Sequence, residues 1–200
     1  MSLEGLQPHP NLKRLRLSYY IGVRIPSWIS SITRLVHFDL YRNKRLQHLP
    51  PLNQLPFLEF VRLKYMKALE YIRIDEESVC NVLGGSSSSS SSSSKTPFFP
   101  SLSYLSIMFC PNLKGWRRNS NDDDDDDDNE PHHLLLPSFP PCLSTLEIIN
   151  CPNLISMPNL TSLKEPYIDG CPKFRYASIH LSFIIPNSNS TTAFFRVFIF

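Results

Sequence analysis

Leu102-Ser103-Tyr104-Leu105-Ser106-Ile107-Met108-Phe109-Cys110-Pro111-Asn112-Leu113 is the stretch that decides the fold. It returns as Leu143-Ser144-Thr145-Leu146-Glu147-Ile148-Ile149-Asn150-Cys151-Pro152-Asn153-Leu154. Both copies read Leu-x-x-Leu-x-Ile-x-x-Cys-Pro-Asn-Leu. The Leu-x-Ile alternation makes a short strand with one face turned inward, and the polar punctuation after it turns the chain away. A pattern that recurs with its punctuation describes stacked coils. Function then belongs to a displayed surface and not to a catalytic pocket.

Looser copies appear once the spacing is known. Leu12, Leu15 and Leu17 are followed by Tyr20; Leu35, Phe38 and Leu40 by Asn43 and Leu46; Leu58, Val61 and Leu63 by Met66 and Leu69. A sixth copy holds Leu163, Pro166, Ile168, Cys171, Pro172 and Phe174. Starts at 12, 35 and 58 give a period of 23 residues, inside the range of roughly 20–29 for leucine-rich repeats. The later starts at 102, 143 and 163 are spaced by 44, 41 and 20 residues, so the long gaps hold insertions. The expected fold is an α/β-type repeat solenoid, a leucine-rich-repeat horseshoe. Short parallel strands line its concave face, and the returns are mostly irregular or 3-10. Each coil leaves an apolar edge that only its neighbour can cover.

Cys110, Cys151 and Cys171 share one slot of the repeat with Asn43. A small buried donor in that slot can reach backbone carbonyls of the neighbouring coil, and a thiol is such a donor. The proline that follows fixes the turn and removes an N–H that would need a partner. The three cysteines match no compact zinc spacing, and their equivalence in the repeat accounts for them.

The regular repeats are expected over 9–175, after a lead-in at 1–8 and before an atypical apolar tail at 176–200. Two insertions, 75–97 with Ser86–Ser94 and 117–137 with Asp122–Asp128, are expected to be disordered. Both re-enter a strand through a Phe-Pro step, at Phe99-Pro100 and Phe139-Pro140, so they expand one tolerant loop position. Eighteen prolines and six glycines suit tight turns and argue against long helices.

The net charge of +2 conceals a split: residues 1–74 carry twelve Lys and Arg against four Asp and Glu, or +8. A basic half attracts acidic partners, yet no nucleic-acid-binding signature accompanies it. The odd count of five cysteines and the polar start Met1–Pro10 fit a reducing cytoplasmic setting, with no membrane span expected. Two glycosylation-type triplets, Asn159-Leu160-Thr161 and Asn189-Ser190-Thr191, carry weight only in a secreted chain. His132 and His133 beside the aspartates read as part of a solvated acidic loop, because the run lacks the glycine-punctuated spacing of a calcium loop. No serine sits in a Gly-x-Ser-x-Gly context. No catalytic residue, cofactor site or metal site is therefore expected.

The Cys-Pro-Asn-Leu repeat reached through Phe-Pro-Ser-Leu resembles the repeat region of plant intracellular nucleotide-binding leucine-rich-repeat disease resistance proteins, particularly the coiled-coil class. Arg24-Ile25-Pro26-Ser27-Trp28-Ile29 is similar to the Pro-x-Trp-Ile step of early repeats in that class. The resemblance covers roughly residues 5–175. It implies recognition of a pathogen effector or guarded host protein, and restraint of a neighbouring nucleotide-binding switch. The chain has no Gly-x-x-x-x-Gly-Lys-Ser/Thr loop, so the nucleotide itself is not expected to bind here. Pro166 in the sixth strand and the apolar tail raise a second expectation: a truncated remnant of a resistance gene, or a decoy.

The alternation also predicts which side chains face out on the concave surface. These are Arg14, Arg16 and Ser18; His37, Asp39 and Tyr41; Phe60, Arg62 and Lys64; Tyr104, Ser106 and Met108; Thr145, Glu147 and Ile149; and Glu165, Tyr167 and Asp169. The set runs from basic, through aromatic, to acidic. Aromatic and arginine side chains are the usual anchors of protein interfaces. The candidate protein-binding residues are therefore Arg14, Arg16, His37, Asp39, Tyr41, Phe60, Arg62, Lys64, Tyr104, Met108, Glu147 and Tyr167.

Overall fold

The computed structural model describes residues 3–6, 8–52, 55–74, 99–118, 138–160, 163 and 166–175. The serine run, the aspartate run, His132, His133, Glu165, Thr161, the Asn189 triplet and the tail lie outside the described residues. Among the described residues eight strands are formed: β1 (Arg14–Ser18), β2 (His37–Tyr41), β3 (Phe60–Lys64), β4 (Tyr71–Ile74), β5 (Tyr104–Met108), β6 (Gly115–Arg118), β7 (Thr145–Ile149) and β8 (Tyr167–Asp169). One parallel sheet has the order β1-β2-β3-β5-β7-β8, one strand per coil. The register follows the repeat without slippage: Leu15, Phe38, Val61, Leu105 and Leu146 pair in series. This is the leucine-rich-repeat architecture that the spacing predicts.

The inward side chains build the core in columns. Phe38, Leu40, Val61, Leu63, Leu105, Ile107, Leu146 and Ile148 are all buried, and Leu35, Leu58, Leu102 and Leu143 stand one step before each strand. Leu46, Leu69, Leu113 and Leu154 close the turn after it. Full burial of one such side chain contributes about 1.5–3 kcal/mol. In β1, by contrast, Leu15 and Leu17 are only partly buried, because a single neighbouring coil covers them. Pro166 occupies the first inward position of the last strand and has no N–H to give, and β8 is cut to three residues.

The turn slot works as the chemistry requires. Asn43 donates from Nδ2 to the Leu17 carbonyl at 2.9 Å and accepts the Tyr20 N–H at 2.8 Å, tying the second coil to the first. The Cys110 thiol reaches the Leu63 carbonyl at 3.9 Å, and Cys151 reaches Ile107 at 3.9 Å. Cys171, in the last coil, donates to the Asp169 carbonyl within its own turn at 3.4 Å. The asparagine of Cys-Pro-Asn adds a second tie. Asn112 donates to the Lys67 carbonyl at 2.9 Å and Asn153 to that of Pro111 at 2.8 Å.

Two features depart from the expected pattern. The residue leaving each strand of the large sheet is left-handed: Tyr19, Arg42, Tyr65, Phe109, Asn150 and Gly170 have φ between 52° and 65°. That twist lets the N–H continue the ladder. Tyr19 donates to the Tyr41 carbonyl at 3.0 Å, Arg42 to Lys64 at 2.9 Å and Phe109 to Ile149 at 2.8 Å. Secondly, the returns are not wholly irregular or 3-10. A 3-10 turn does span Ser27–Ser31, but β4 and β6 pair as a separate parallel sheet, Ile72 opposite Trp116. Arg117 and Arg118 thus belong to a strand, and regular structure runs past the expected start of the insertion at 117.

Candidate recognition surface

Parallel register brings the outward residues of the large sheet into three rows across the coils. The first row is Arg14, His37, Phe60, Tyr104 and Thr145. Its middle is a continuous aromatic stack. His37 lies 5.3 Å from Phe60, and Phe60 lies 4.3 Å from Tyr104 with an interplanar angle of 3°. The Tyr104 hydroxyl then donates to Glu147 Oε2 at 2.7 Å, locking the end of the stack to β7. Burial, then the bond to Glu147, pushes the phenol above its ordinary range, so it remains a donor.

The second row is Arg16, Asp39, Arg62, Ser106, Glu147 and Tyr167. Arg62 grips Asp39 with two nitrogens, Nε to Oδ1 at 3.1 Å and Nη2 to Oδ2. Arg16 approaches the same carboxylate from the other side at 3.5 Å. The hydrogen bonds to Asp39 raise the Arg62 guanidinium above its ordinary value. This corrects the expectation that every outward side chain meets solvent. Asp39 is only 8% exposed and Ser106 is fully buried. Asp39 is roofed by its two arginines. Ser106 is the smallest side chain of its row and sits between Arg62 and Glu147.

The third row is Ser18, Tyr41, Lys64, Met108, Ile149 and Asp169. Beside it runs a fourth row that the alternation alone does not reveal, because its members are the left-handed residues after the strands. Tyr65 and Phe109 stack at 4.8 Å, and Tyr41 meets Tyr19 and Tyr65 edge-on at 5.8 and 5.7 Å. The Arg42 guanidinium sits among Tyr19, Tyr41 and Tyr65 at 5.8, 5.3 and 5.2 Å and donates to the Tyr19 hydroxyl at 3.2 Å. Lys64 Nζ lies over the Tyr65 and Phe109 rings at 5.5 and 5.8 Å. The signal was present in the sequence: an aromatic residue immediately before the turn slot at 19, 65 and 109.

The twelve candidate protein-binding residues lie in these rows, and Glu165, also expected to face outward, lies outside the described residues. Arg14 and Arg16 lie at one end with Arg42, Arg62 and Lys64 beside them, while Glu147 and Asp169 lie toward the other. The thiols of the turn slot lie elsewhere, inside the stack. The neighbouring thiol of Cys110, followed by burial, pushes Cys151 up to about 12, and its contact with Cys151 together with burial raises Cys171 as well. Both thiols are held in the protonated, donor form at neutral pH. Among the described residues no helix is long and apolar enough to cross a membrane.

The chain is similar in sequence to known proteins. A family model described as "R13L1/DRL21 LRRs" matches residues 1–66. The chain is 31% identical over 171 residues to "Putative disease resistance protein RGA4" of Solanum bulbocastanum, an alignment covering 84% of this chain and 14% of that protein. It is 26% identical over 175 residues to "Putative disease resistance RPP13-like protein 1" of Arabidopsis thaliana, covering 74% and 14%. It is 34% identical over 116 residues to "Putative disease resistance protein RGA1" of Solanum bulbocastanum, covering 56% and 10%. The chain thus spans about a seventh or less of the curated relatives it matches.

Proposed function

The chain is a leucine-rich-repeat region of the kind carried by plant disease resistance proteins, and from that premise we propose that its outer sheet face recognises protein in immune signalling. The partner is a pathogen effector or a host protein, or the nucleotide-binding switch that such a region restrains. The setting is the cytoplasm, and the role is recognition without catalysis.

The observation that carries the reading is the order already built into the face. The His37–Phe60–Tyr104 stack, the Tyr104–Glu147 bond and the Arg62–Asp39 clamp hold large side chains in place before any partner arrives. Side chains that are already ordered lose little entropy on binding, which is where much of the cost of an interface lies. Aromatic and arginine groups in such positions act as anchors. Calorimetric titration of the purified chain against candidate effectors, host proteins and the nucleotide-binding region of a relative tests it. Phe60→Ala and Tyr104→Ala are each expected to weaken the true partner by about 1–3 kcal/mol. Unchanged affinity in both variants would place recognition elsewhere.

A further inference from the structure

Off the large sheet, on the return stretches of the first three coils, Arg24, His48 and Arg73 converge on a cleft of about 200 Å³. Ile25, Leu49, Pro50 and Pro51 line the remainder. The backbone fixes the three positions. Arg24 and His48 form a parallel bridge, with the Gln47 and His48 N–H groups both donating to the Val23 carbonyl at 2.9 and 3.3 Å. Arg73 is the outward residue of β4, held between buried Ile72 and Ile74.

We propose that this cleft is a binding site for a phosphate-bearing anion. Three side chains that can carry positive charge face one space. Among the described residues no carboxylate lies within ion-pair distance of any of them. The neighbouring Lys114 shows the contrast, since it is paired with Glu70 at 3.0 Å. His48 registers the crowding: burial, then the charges of Arg73 and Arg24, hold its pKa below the ordinary value. Like charges gathered with no counter-ion among the described residues repel, and an entering anion reverses that repulsion. Phosphate suits the geometry better than carboxylate does, because its oxygens accept from several directions while a carboxylate offers one edge. Two guanidinium forks are the usual partners of such a group. Arg117, paired with Arg73 across β4 and β6, extends the basic line by one coil, about 4.8 Å, so a second phosphate on the same ligand has a place to go.

The site is independent of the outer sheet face. Its test is an NMR titration of the whole chain with inorganic phosphate and then pyrophosphate, following the His48 ring, assigned with His48→Gln. Saturable binding that moves the His48 pKa upward is expected. Arg24→Gln and Arg73→Gln should each weaken it about tenfold. Both residues are exposed, so an unchanged thermal melt certifies that the variants are folded. Flotation with phosphatidylcholine vesicles, with and without phosphatidic acid, separates the sources. Retention only with phosphatidic acid assigns a lipid headgroup, and binding of free phosphate without retention assigns a soluble ligand. The proposal is overturned by an unsaturable response or by full affinity in the Arg24→Gln, Arg73→Gln double variant. It is equally overturned if phosphate binds only after Asp122–Asp128 are changed to serine, since the chain's own carboxylates would then be the occupant.

Discussion

At the residue scale, the turn slot shows how one position carries the stacking of coils. Asn43 satisfies a carbonyl and an N–H of the previous coil at once. Asn43→Ala leaves both unpaired in a fully buried place and should cost about 2–4 kcal/mol of stability, read from urea denaturation. Gly170 is a second such point. It is left-handed, and a Cβ there would press on the Asn150 side chain, so Gly170→Ala should cost about 1–2 kcal/mol. The thiols give a pH prediction. The raised pKa of Cys151 means that the unfolded chain, with a thiol near 8.5, loses its proton first as pH rises. The contribution is intact below about pH 8.5 and is lost progressively toward about 12. Urea midpoints at neutral pH and at about pH 10 should differ less in Cys151→Ser than in the natural chain. An equal difference in both would assign the alkaline loss to other groups.

At the element scale, the sheet was legible because its period is simple. Leu-x-Leu at a constant offset specifies strand, register and inward face together, and that is why all six strands of the large sheet lie where the motif puts them. The small sheet was missed although Tyr71-Ile72-Arg73-Ile74 alternates, because its partner Gly115-Trp116-Arg117-Arg118 sits just before an insertion and reads as the start of it. The left-handed row was missed for another reason. Four of its six members, Tyr19, Arg42, Tyr65 and Phe109, carry side chains that ordinarily avoid positive φ, and the ladder bond each N–H gains makes the conformation worthwhile. Burial of Asp39 could not be read from alternation either, since it depends on Arg16 and Arg62 arriving from two other coils. Unequal coverage predicts unequal mutational cost. Ile107→Ala, covered on both sides, should lose about 2–5 kcal/mol, and half-covered Leu15→Ala should lose distinctly less in the same denaturation series.

At the scale of the whole molecule, stability is a sum over coils and the contacts between neighbours. The same stacking that buries the leucines aligns the outward residues into rows, so the surface is a by-product of the core's regularity. Two surfaces result, with different characters. The sheet face presents ordered aromatics and arginines of a size suited to protein. The return side presents a small basic cleft. The insertions, which begin after Ile74 and after Arg118, follow the strands that carry Arg73 and Arg117, not the strands of the large sheet. The alternation alone put these residues on one sheet face but treated them as separate candidates, because ring stacking and clamped ion pairs between coils have no sequence pattern of their own.

The most direct test of recognition by the outer face is hydroxyl-radical footprinting of the chain, alone and saturated with the protein partner that titration identifies. Protection concentrated at Tyr41, Phe60, Tyr104 and Met108, with Trp116 and Phe139 unchanged, is the predicted result. Protection absent from those four residues, or confined to exposed residues off the sheet such as Phe57 and Ile155, would contradict it.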